Sequence, residues 1–65
     1  MTTEEIMRTI QEISRLSEDD EVAHSMEDEL WENVLKAISE GAPNAAELAA
    51  YALKTKNISF SRWCA

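Results

Sequence analysis

Glu21 and His24 stand at Glu-x-x-His spacing, which sets a carboxylate and an imidazole side by side on one helix face. Helical bundles present ligands to paired metal ions in this way. Glu27 and Asp28 follow one turn later, so Glu21, His24, Glu27 and Asp28 form the one cluster in which metal or acid–base chemistry is conceivable. Only one Glu-x-x-His occurs, however, and a full site would need a second copy of the chain. Glu21 also projects nearly opposite Leu30, away from a bundle core. There is no HExxH, no CxxC, no glycine-rich phosphate loop and no Ser-His-Asp arrangement. The single cysteine, Cys64, has no histidine near it in sequence and reads as a small packed residue rather than a nucleophile. The expectation is a non-enzymatic chain with no cofactor. The alternative is a dimeric metal-binding protein or metal-dependent enzyme built on that cluster.

The same region dominates the charge. Residues 18 to 32 hold eight carboxylates and no Lys or Arg, giving -8 in a chain whose net charge is -7. Lys36, Lys54, Lys56 and Arg62 form no dense basic patch, so direct nucleic-acid binding is not expected. An acidic block of this kind either keeps a small apolar protein in solution or engages a basic surface, in the extreme by imitating the phosphates of DNA.

At 65 residues the chain makes one domain, and folding at this size buries only about 60% of the unfolded surface. A thin core makes homodimerisation one expectation. A lone cysteine closes no intrachain disulfide, which fits a reducing compartment. Glu4, Glu5 and Glu12 interrupt any secretory signal, and no apolar run is long enough for a membrane span. The location expected is cytoplasmic, with no membrane partner.

Ile6, Ile10, Ile13 and Leu16 recur at helical spacing, predicting a first helix over 3–16 with Thr2 or Thr3 as its cap. Ser17 and Asp20 resemble a capping box that would open a second helix near Glu18, running to Glu40 before Gly41 supplies the left-handed terminator. Asn44 and Glu47 form a similar box for a third helix through about Lys54, burying Ala45, Leu48, Ala49 and Ala52, with Asn57 as a left-handed cap. Ile58, Phe60 and Trp63 then make a short closing turn. The architecture expected is all-α: a three-helix domain made of an antiparallel helical hairpin, a third helix and a C-terminal turn. Residues 1–65 form a single domain, with 1–18 as a separate N-terminal helix or arm being the alternative division.

On the second helix, Val22, Ala23, Met26, Leu30, Val34 and Ala37 share a face that Trp31, Leu35 and Ile38 widen. A face this wide packs on two neighbours, or on one neighbour and a second copy. Glu27 falls inside it, flanked by His24 and Asp28. An unpaired buried carboxylate costs several kcal/mol, about the whole reserve of a small domain. Three readings follow. Glu27 bends out to water, or it takes part in the metal cluster, or Glu27 or Asp28 accepts a bidentate bond from Arg62 or Arg15, the Arg62 version packing Trp63 beside Trp31.

The strings AHSMEDELW at residues 23–31 and ISFSRWCA at 58–65 resemble a group of short, uncharacterised proteins of phages and bacterial genomes. The resemblance covers 19–65, and His24, Glu27, Asp28, Arg62 and Trp63 are the positions that carry it. It implies a mobile-element origin and a pairing of the acidic helix with the C-terminal turn, but no reaction. The function expected is a small acidic protein-binding module, a modulator or inhibitor of a host protein. Its partner-binding or structural cluster comprises His24, Glu27, Asp28, Trp31, Leu35, Arg62 and Trp63.

Overall fold

The computed structural model describes residues 1–62. Helix α1 spans Thr3–Arg15, α2 Asp20–Ser39 and α3 Ala45–Ala52, and α3 runs directly into a 3₁₀ turn, Leu53–Asn57. No strand occurs among the described residues, so the fold is the all-α three-helix domain that the periodicity predicts. The 20 residues of α2 set the 34 Å long axis of the molecule. Helix α1 packs on α2 and on α3, and α3 packs on both.

Each terminus has a local chemical cause. Thr2 and Glu5 form a reciprocal capping box at the start of α1, the Glu5 carboxylate accepting from the Thr2 N–H at 3.0 Å while the Thr2 hydroxyl accepts from the Glu5 N–H at 3.2 Å. Helix α2 starts later than its sequence predicts. Asp19, not Ser17, is the cap, its carboxylate accepting from the Val22 N–H at 3.2 Å. Ser17 is taken up by a turn instead, its N–H donating to the Ser14 carbonyl. At the other end Gly41 adopts φ +91°. The Gly41 N–H reaches the Ile38 carbonyl and the Ala42 N–H the Ala37 carbonyl, the paired bonds of a Schellman motif.

Helix α3 departs further. Asn44 occupies the cap position at ψ 33°, outside the extended conformation that aims a side chain at the next turn, and makes no capping bond. The helix ends at Ala52 and tightens to 3₁₀ geometry, and Asn57 is not left-handed: Ile58 closes the turn in extended backbone. On α3, Leu48 and Ala52 are buried, whereas Ala45 and Ala49 are only half-buried.

The core is Ile6 and Ile13 from α1, Ala23, Leu30 and Val34 from α2, and Leu48 and Ala52 from α3. Ile10, Met26, Trp31, Ala37, Ile38, Tyr51, Ile58 and Phe60 pack around it. The apolar face of α2 is not covered across its full width: Val22 is 38% and Leu35 66% exposed.

Because Gly41 holds a left-handed conformation with open space around its Cα, Gly41→Ala meets no clash and pays only the backbone penalty. The expected loss is about 1 kcal/mol. Urea denaturation should show a lowered midpoint with an unchanged slope, and Gly41→Asn should lose less.

Candidate functional site

Glu27 lies one turn before Trp31 on α2 and is 3% exposed. Its carboxylate meets the Nε–Nη2 side of the Arg62 guanidinium. Arg62 Nε donates to Glu27 Oε1 and Arg62 Nη2 to Glu27 Oε2, both at 2.9 Å, a bidentate pair. The rest of the guanidinium is spent on backbone. Nη2 also donates to the carbonyls of Thr55 at 2.8 Å and Ile58 at 3.1 Å, and Nη1 to that of Phe60 at 3.3 Å. Its Cζ lies 3.9 Å from the Phe60 ring centroid. The Thr55 carbonyl is at the end of the 3₁₀ turn, where the negative end of the helical dipole favours a cation.

Trp31 supplies the second link. Its indole Nε1 donates both to the Ala52 carbonyl at 3.2 Å and to Thr55 Oγ1 at 3.1 Å. Thr55 is fully buried, and no buried side-chain polar atom among the described residues lacks a partner. A third link joins Asp20, whose Oδ1 accepts from the Ser61 N–H at 3.0 Å. Residues 58–62 are thereby strapped along α2 at Asp20 and Glu27.

Burial pushes the Glu27 carboxyl toward the neutral form. Hydrogen bonds from Arg62 and Thr55, with the charges of Arg62 and Lys56, outweigh burial and hold its pKa below the ordinary carboxylate value. The carboxylate in turn holds Arg62 more firmly protonated.

The residues singled out in the sequence fall into three places. Glu27, Trp31 and Arg62 meet in the clamp. His24 Nε2 sits 3.5 Å from Asp28 Oδ1 on the flank of α2, with side chains 15% and 67% exposed. Leu35 takes part in neither and stands out to solvent. Trp63 lies outside the described residues, as does Cys64. Arg15 does not reach the cluster, because it pairs with Glu12 on its own helix. Nor do Glu21, His24, Glu27 and Asp28 converge: among the described residues no three His, Cys, Asp or Glu side chains come together as a metal-binding group.

Two members of the clamp were not anticipated. Thr55 continues the buried stripe of Leu48 and Ala52 at helical spacing, so its position was readable had the stripe been carried past Lys54. The spacing of Asp20 from Ser17 makes it the acid of a capping box, and nothing in it marks a partner for Ser61.

A second feature lies on the other side of Trp31. Trp31, Val34, Leu35 and Ile38 of α2 face Ala49 and Leu53 across an apolar groove of about 180 Å³. No helix among the described residues is long and apolar enough to cross a membrane. No protein-family description, curated protein or solved structure matches the chain.

Removing Arg62 alone strands a buried carboxylate, so Arg62→Ala should cost about 2–3 kcal/mol, whereas Glu27→Leu with Arg62→Met leaves no unpaired charge and should cost clearly less, its loss being the bonds to the Ile58 and Phe60 carbonyls. Denaturation of the two variants checks the asymmetry.

The pH dependence has a definite sign. The unfolded chain binds the Glu27 proton more readily than the folded one, so the pair's contribution is complete above the unfolded carboxylate value of about 4.3 and is lost as pH falls through the lower folded value. Urea titrations over that range should show stability falling with acidification, and Glu27→Gln should flatten the fall.

Proposed function

We propose that this chain is a protein-binding module whose docking surface is the groove between α2 and α3. One observation supports the reading. Leu35 and Leu53 are 66% and 59% exposed on either side of an apolar groove, in a protein with only seven buried apolar residues among those described. A chain so short of core gains stability by burying any leucine it can, and apolar side chains clustered beside a half-buried Trp are the usual makings of a binding anchor. Trp31 adds rigid contact area, its ring already fixed by the bonds to Ala52 and Thr55.

The resemblance of residues 19–65 to short phage and bacterial proteins gives the reading its concrete form: a mobile-element product that modulates or inhibits a host protein from the cytoplasm. Binding through Leu35 and Leu53 persists at moderate salt, while docking through the acids alone is lost there.

Affinity purification of the tagged chain from host extract, at low and moderate salt, tests this against a Leu35→Glu/Leu53→Glu variant. A stoichiometric protein should be retained at moderate salt and lost with the variant, whose helical circular dichroism should be unchanged because both positions are exposed. Equal recovery by variant and unmodified chain would overturn the groove as the docking surface.

A further inference from the structure

We infer that the occupant of the groove is an amphipathic helix whose apolar face is flanked by Lys or Arg on the side that meets α2; the inference rests on the docking reading above and assigns the partner's chemistry. The two banks of the groove differ. On α2, Glu32 and Asp28 are exposed, about one and two turns before Leu35, and project within about 60° of it on the side away from Trp31 and Val34. They make an acidic edge along the groove, with Lys36 further round the helix. On α3 the corresponding positions beside Leu53 are Ala46 and Ala50, both exposed, with Ala49 below them in the groove. Before Leu53 the α3 side of the groove carries only alanine, neither charged nor bulky, so a helix backbone can approach it closely there.

A partner therefore needs leucine-sized side chains at helical spacing to pack between Leu35 and Leu53. It needs cations on one flank and small or polar residues on the other. Lys56 stands 5.8 Å from the Trp31 ring centroid, and at that end the occupant's cations give way to neutral or acidic residues. A second copy of this chain fits worse, because a two-fold contact through α2 would set one acidic edge facing the other. Nucleic acid is repelled by the same edge.

The test is an NMR titration of the isotopically labelled full chain with three synthetic helical peptides. The first carries leucines at i, i+3, i+4 and i+7 with Lys on one flank. The second has Glu in place of Lys, and the third keeps the composition of the first with its leucines scrambled. The Lys peptide should shift the amides of Leu35, Ile38, Ala49 and Leu53 and bind about tenfold more tightly than the Glu peptide. Asp28→Lys with Glu32→Lys should reverse that order, and the scrambled peptide should leave the groove amides in place.

Equal groove binding by Lys and Glu peptides would overturn the charge assignment while leaving the docking reading standing. Shifts confined to the acids, or equal binding of the scrambled peptide, would overturn both. Sedimentation showing a dimer abolished by Leu35→Glu would overturn the assignment in favour of a second copy.

Discussion

The bidentate contact between Glu27 and Arg62 organises the end of this chain. A carboxylate 3% exposed on the apolar side of α2 is tolerable only because a guanidinium meets both of its oxygens. Arg62 in turn gathers the carbonyl of Thr55 at the end of the 3₁₀ turn and those of Ile58 and Phe60, which irregular backbone would otherwise have to present to water. One ion pair thus satisfies two demands, that of the acid in the core and that of a closing segment with no helix or sheet of its own. The arrangement is costly to break from one side and mild to replace whole. It therefore fixes where residues 58–62 lie more than it adds to net stability.

Much of this was written in the sequence at the level of elements. The isoleucine stripe of α1, a threonine cap at its start, and Gly41 as terminator each follow from a local rule, and the structure adopts all three, with Thr2 as the cap. Boundaries failed where several polar residues competed for one role. Ser17, Glu18, Asp19 and Asp20 all suit the start of a helix; Asp19 takes the cap, while the Asp20 carboxylate accepts from Ser61, more than forty positions away. Helix α3 failed for a related reason: its Asn44 follows Pro43 and the Schellman turn, and the backbone leaves that turn at an angle that denies the cap its bond.

The site divides the same way. That a buried Glu27 requires a partner is a matter of energy and is legible; the choice of Arg62 over Arg15 is not, because it depends on how the closing segment lies along α2. That Trp31 would donate to the end of α3 was not, because the register between α2 and α3 is a tertiary fact. The exposure of Leu35 was hidden too. Periodicity places it on the apolar arc, but an arc says only which way a side chain points, and α3 with its small residues is too slender to cover the full width.

Trp31 belongs to both halves of the molecule, and that ties the clamp to the groove. Its N–H edge is held by Ala52 and Thr55 on the inner side, while its ring forms part of the groove between α2 and α3. Ala52 accepts that bond from the last turn of α3, so the separation of the groove's two walls is set by a hydrogen bond rather than by apolar contact alone. Thr55 completes the connection, bonding Trp31 through its hydroxyl and Arg62 through its carbonyl. A strap that looks like a mere closing segment therefore steadies the residue on which a partner would rest. A groove held at fixed width before binding gives up less conformational freedom when occupied. In a protein this small, the interactions that stabilise the fold and those that shape its groove run through the same few side chains.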